Sequence, residues 1–122
     1  MPTEPAPVTL FDVASRAVAV CDQSGVDSDL GEFLERFEDA DVPIGDPVAV
    51  RERIYEEVGA LDPQEEDGPI QLATAIAVYL CFRRDQLDDP PAKLIRLAVA
   101  AEFHDQLPDV VEEFLMESGV EY

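Results

Sequence analysis

The chain has little of what most site chemistry requires. Its 122 residues include one histidine, two cysteines and no tryptophan, and Lys93 is the single lysine among eight basic residues. A zinc site draws several cysteine or histidine ligands at close spacing, and nothing here supplies them. Cys21 and Cys81 both fall in apolar helical stretches rather than in turns, so they read as small buried hydrophobes, not as a bridge. No apolar run reaches the ~18 residues of a membrane-spanning helix. Met1-Pro2-Thr3-Glu4-Pro5 has neither the positive nor the apolar region of a secretion signal, and the expected location is the cytoplasm. Cations are too sparse for a broad basic face, since only Arg83, Arg84, Lys93 and Arg96 cluster. This argues against nucleic acid and against anionic membranes as partners. A glycine-rich phosphate loop and a G-x-S-x-G nucleophile turn are both missing.

What the chain has in excess is negative charge. Asp and Glu number 28 and the formal net charge is −20. Such a charge repels itself and weakens the compact state unless counterions screen it, and at about 1 M salt the Debye length falls to roughly 3 Å. Scarce lysine, abundant acids and an alanine- and valine-rich apolar fraction resemble the composition of proteins from salt-accumulating haloarchaea, a bias that high-GC bacteria share in part. The charge therefore reads first as adaptation to a salt-rich cytoplasm. The sharper alternative is an acidic charge mimic that binds a basic partner. A mimic should gather its acids in a stripe, whereas here they occur in nearly every segment.

Residues 1–7 hold three prolines and no apolar periodicity, and are expected to form a disordered tail before a single helical domain over 8–122. Leu10, Ala14, Ala17, Val18 and Cys21 recur at helical spacing, widened by Phe11, Val13 and Val20, until Ser24-Gly25. A second helix follows, with Asp29 and Glu32 at capping-box spacing and Leu30, Phe33, Leu34 and Phe37 on one face. Asp46-Pro47 starts a third, in which Val50, Ile54 and Val58 lead to Gly59. Residues 70–82 form thirteen consecutive positions without a charge, and a helix apolar all round belongs in the centre of a bundle. Asp89-Pro90-Pro91 starts a fifth helix and Asp109, three before Glu112, a short sixth. With no alternating-polarity strand, the fold class is all-α, a compact bundle of five to six helices around a central apolar helix.

Each candidate for chemistry has a plainer explanation. His104, within Glu102-Phe103-His104-Asp105, has carboxylate neighbours that would favour a proton-transfer role, yet a histidine near a helix C-terminus is already accounted for by the dipole. The residue three before it is Ala101, which rules out the Glu-x-x-His element of a di-iron bundle. Calcium loops starting at Asp22, Asp41 or Asp62 fail on register. A helix-turn-helix reader would need base-reading side chains, and the third helix offers only Arg51 and Arg53 among glutamates. Glu32, Glu35, Glu38 and Asp39 on the second helix, with Glu52, Glu56 and Glu57 on the third, resemble the acidic helices of all-helical nucleotide pyrophosphohydrolases. That resemblance implies a magnesium-dependent enzyme, with Glu32, Glu35, Glu38, Glu52 and Glu56 as ligands. In a chain this acidic such spacings also arise by chance, as a solvated face.

The expectation that follows is a non-enzymatic protein without a cofactor, associating with a protein partner or with itself as a homodimer. The fifth helix is apolar around much of its circumference, which makes Ile95, Val99 and Phe103 the interface candidates.

Overall fold

The computed structural model describes residues 8–22, 28–40, 43–104 and 106–118. Six α-helices follow one another: α1 Leu10–Cys21, α2 Ser28–Glu35, α3 Pro47–Leu61, α4 Gly68–Phe82, α5 Pro91–Phe103 and α6 Asp109–Ser118. A 3-10 turn, Arg84–Gln86, separates α4 from α5. Among the described residues there is no strand, only an isolated antiparallel bridge between Thr9 and Pro43. The expected tail over residues 1–7 and the Ser24-Gly25 stop lie outside the described residues.

Charge-free α4 is the axis of the bundle and packs against all five other helices. Twelve of its fifteen residues are buried, as its all-round apolarity requires, and each fully buried Leu, Ile or Val side chain contributes roughly 1.5–3 kcal/mol relative to exposure. Its one hydroxyl at mid-helix, on Thr74, is satisfied by donating to the Ile70 carbonyl at 2.7 Å. Around it α1 inserts Val13, Ala14, Ala17 and Val20, α2 inserts Leu30 and Phe33, and α6 inserts Val111 and Leu115. Phe33 meets Phe37 edge to face, with ring centroids 5.2 Å apart.

The helix starts follow local chemistry. Thr9 and Asp12 close a reciprocal capping box on α1, each side chain accepting from the other residue's backbone N–H at 3.1 and 2.9 Å. Asp46 caps α3 by accepting from the Val48 N–H, and Pro47 fills the first helical position. Four boundaries differ from the sequence expectation. The capping-box residue Asp29 lies inside the first turn of α2, because the helix already begins at Ser28. That helix also ends at Glu35, and Phe37 reaches the core from a tight turn closed by its N–H on the Leu34 carbonyl. The fourth helix begins at Gly68, two residues ahead of position 70, capped by the Asp67 carboxylate, which accepts from the Ile70 N–H. Asp89 does not cap α5, which has Pro90 at that place, and pairs instead with Lys93 at 3.1 Å.

One glycine is demanded by packing. A Cβ on Gly68 would run into the Val110 carbonyl oxygen of α6, so the first residue of α4 must be small for the last helix to lie against it.

Candidate docking surface

The structure corrects the expected interface. Ile95 and Val99 are 1% and 5% exposed, inside the core, and Phe103 is half-buried against it. The reason is that α5 lies against α4 and also touches α1, so two neighbours cover the apolar positions that periodicity left over. What α5 turns outward is small or charged: Ala92, Lys93, Arg96, Ala100 and Ala101.

The carboxylates of the magnesium alternative are placed, but not together as a ligand set. Glu32 and Glu35 border an open recess with Arg36 and Leu61. Glu38 lies in the turn beyond α2, off the helical ladder on which it was counted, and Glu52 and Glu56 are exposed on α3. Where the α2 segment meets α3 the contact is an ion pair, Arg36 to Glu57 at 3.1 Å, not two facing acids. Among the described residues no group of three or more His, Cys, Asp or Glu is arranged to hold a metal.

The feature that stands out lies where α3 crosses the C-terminal end of α4. Val48, Tyr55 and Phe82 are 44%, 50% and 45% exposed, large apolar side chains left in solvent. Val48, Arg51 and Tyr55 follow one another at i, i+3 and i+7 and share a stripe of α3. The Arg51 guanidinium carbon sits 5.7 Å from the centroid of the Phe82 ring, a cation–π contact that joins this stripe to the end of α4. Met116, the other large exposed hydrophobe among the described residues, is on α6.

The electrostatics of this stripe reach Glu102 and His104, at the end of α5. Partial burial pushes the Glu102 carboxyl above its usual range, while the positive charges of Arg51 and His104 pull it back. The Tyr55 phenol is likewise raised, first by burial and then by the Glu102 charge, with Arg51 opposing. Arg51 and Glu102 thus sense each other, yet neither closes an ion pair; those formed among the described residues are Arg36–Glu57 and Lys93–Asp89. His104 is exposed and ends α5 in the left-handed region, at φ 49°. Of the positive cluster read from the sequence, Arg84 donates to the Ile44 carbonyl at 2.6 Å and Lys93 is paired with Asp89.

Tyr55 also borders a cleft of about 210 Å³ between α3 and α4, whose lining includes Asp62, Gln71 and Thr74. Asp62 is only 8% exposed. Burial alone would raise its carboxyl, but the Asp67 N–H, the Gln71 amide and the Glu66 N–H outweigh it and hold the group below its usual range. Those bonds are 3.0, 3.0 and 3.1 Å long, and they make Asp62 the tie of the α3–α4 hairpin rather than a reacting group. Cys81, one residue before Phe82, is buried and its thiol is pushed up to about 12, which leaves it inert at neutral pH.

The surface thus joins an arginine held over an aromatic ring to a second exposed aromatic on the same helix stripe. Sequence reasoning saw Arg51 only as a weak candidate for reading DNA and assigned Phe82 to the buried helix. The available signals were the Arg51–Tyr55 spacing and the position of Phe82 at the last residue of the apolar run. Compared with protein-family models, with curated proteins and with solved structures, the chain matches none.

Proposed function

We propose that this chain is a non-enzymatic protein-association domain of a salt-rich cytoplasm, and that it docks its partner on the face formed by Val48, Arg51, Tyr55 and Phe82. The observation that carries this reading is the exposure of both aromatic side chains beside a stacked arginine, because Tyr, Phe and Arg are enriched at protein interfaces. In a chain of net charge −20, salt screening also suits association through an apolar patch rather than through long-range attraction.

The test is site-specific photo-cross-linking in the cells that make the protein, with the reactive side chain placed at position 55 and, separately, at position 116. A discrete adduct heavier than the chain from position 55, and none from position 116, is expected. No adduct from position 55, or the same pattern from both, overturns the reading.

A further inference from the structure

We infer that the cleft between α3 and α4 binds a small primary ammonium ion carried on a short apolar stem, with Asp62 as its countercharge. This site goes beyond the docking face and does not rest on it; the two share only Tyr55. A carboxylate taken out of water is costly unless a cation answers its charge. Asp62 is 8% exposed, and among the described residues no cationic side chain pairs with it. Neutral donors hold it instead: the Glu66 N–H on Oδ1 at 3.1 Å, and the Asp67 N–H and the Gln71 amide on Oδ2, both at 3.0 Å. A carboxylate accepts about four hydrogen bonds. Oδ1 therefore keeps a free acceptor position, and the negative charge stays uncompensated.

The rest of the cleft suits the same ligand. Thr74 gives its hydroxyl proton to the Ile70 carbonyl at 2.7 Å, and Gln71 turns its amide nitrogen to Asp62, so the Thr74 hydroxyl oxygen and the Gln71 carbonyl oxygen are left as acceptors. Glu65 adds a second carboxylate to the lining. Acceptors gathered beside a buried negative charge select a cation that donates hydrogen bonds. The remaining wall includes Tyr55, Val58 and Pro63. Their apolar surface covers a hydrocarbon stem but gives a bare metal ion no ligands, and an aromatic ring beside the charge favours an organic cation further. The volume of about 210 Å³ is below the roughly 300–1,000 Å³ of pockets for drug-sized ligands, so the occupant is small. Part of the room is due to Gly59. It lies within α3, which runs on to Leu61, at a place where glycine weakens a helix relative to alanine. A Cβ there would meet nothing within 4 Å. Packing thus does not demand this glycine, in contrast to Gly68, and its missing side chain leaves the cleft open.

The experiment is a titration of the full chain with phenethylammonium chloride, followed by nuclear magnetic resonance of the Gln71 side-chain amide and the Tyr55 ring. It is run in about 1 M potassium chloride, where a Debye length of roughly 3 Å screens the general attraction of surface acids for cations. Saturable shifts at both reporters, with a dissociation constant in the millimolar range, are expected. Phenethyl alcohol has the same stem without the charge, and tetramethylammonium has the charge without an N–H; each should bind at least about tenfold more weakly. Gly59→Leu fills the cleft while leaving Asp62 in place, and should keep the fold because leucine is the better helix former. It should weaken binding at least about tenfold, and Asp62→Asn should do the same by removing the countercharge. Should Asp62→Asn fail to fold, Gly59→Leu decides alone. The absence of a saturable shift overturns the inference. So does an alcohol or a tetramethylammonium ion that binds as tightly as phenethylammonium, or full binding by either variant in its folded state.

Discussion

The two ends of α4 are built in opposite ways. At its N-terminal end the polar groups of cap and loop are tied together. Asp67 accepts from the Ile70 N–H, Asp62 takes two backbone N–H groups and the Gln71 amide, and Gly68 lets α6 press against the first turn. At its C-terminal end, Phe82 stands 45% exposed under Arg51, and the chain leaves through a 3-10 turn whose preceding cap, Arg83, offers no side-chain bond. A single helix without charges thus serves as the core at one end and as a presenting edge at the other. What separates them is the covering elements, since residues 62–68 and α6 close over the first turn, whereas in the last turn Tyr79, Leu80 and Cys81 are covered and Phe82 is not.

The sharpest expression of that contrast is a step of one residue, from buried Cys81 to exposed Phe82. In a Phe82→Cys, Cys21→Ser background, the introduced thiol should be alkylated at the rate of an exposed cysteine. Cys81, with its thiol pushed up to about 12 from an ordinary 9.0, should react at least ~1000-fold more slowly near neutral pH. Comparable rates for the two thiols, read by mass spectrometry, would show that the C-terminal turn of α4 opens as a unit.

Stability should follow the same division. Leu72→Ala and Leu80→Ala remove side chains with no exposed surface and are expected to cost about 2–5 kcal/mol each in urea unfolding. Phe82→Ala should stay within about 0.5 kcal/mol, measured at a concentration where the chain is monomeric. A loss at Phe82 as large as at Leu80 would mean that the aromatic ring holds the bundle together rather than awaiting a partner.

Most of the architecture could be read from the sequence, and the reasons are local. Asp46-Pro47 is a cap followed by a residue with a fixed φ, and α3 starts there because both effects act within two residues. The charge-free run over 70–82 had to be central because no face of it can be left to water. The exposed face of Val48, Tyr55 and Phe82 was hidden for the opposite reason. Periodicity reports how apolar a helix is but not how many neighbours it has, so Ile95 and Val99 looked like surplus and were core. Phe82 looked like core and lies at an edge. The tie at Asp62 was equally invisible, because its donors on Glu66, Asp67 and Gln71 are brought together only by the turn between α3 and α4.

That tie gives the next effect in size. Asp62→Asn keeps the shape but loses the charge that three donors share, and should cost about 2 kcal/mol near neutral pH. The sign follows from linkage. Because the folded-state carboxyl lies below its ordinary value of 3.8, its stabilisation is complete above that value and is lost as pH falls through the lower, folded one. The difference in unfolding free energy between wild type and Asp62→Asn should therefore be flat from neutral pH to about pH 5 and shrink below pH 4. A difference that grows in acid would sink this account. Gly68→Ala, which sets a methyl group against the Val110 carbonyl, should cost about 1–2 kcal/mol through displacement of α6. The Tyr55–Phe82 end should be unchanged in its hydrogen exchange.

The smallest effect belongs to the open end. His104 closes α5 at φ 49° and ψ 43°, a left-handed conformation that costs a residue with a Cβ about 1–2 kcal/mol and glycine almost nothing. His104→Gly relieves that strain but gives the unfolded chain more freedom, worth roughly 0.5–1 kcal/mol in the other direction. The net gain should be about 0.5 kcal/mol, seen as a rise in melting temperature of a few degrees. The same change removes one of the two positive groups that hold the Glu102 carboxyl down, so the titration of Glu102 should move up while Asp62, at the other end of α4, does not respond. An upward shift of Glu102 with no change at Asp62, followed by nuclear magnetic resonance of the two carboxyls, would show that the two ends are electrostatically separate. A response at both would mean that they form one polar system.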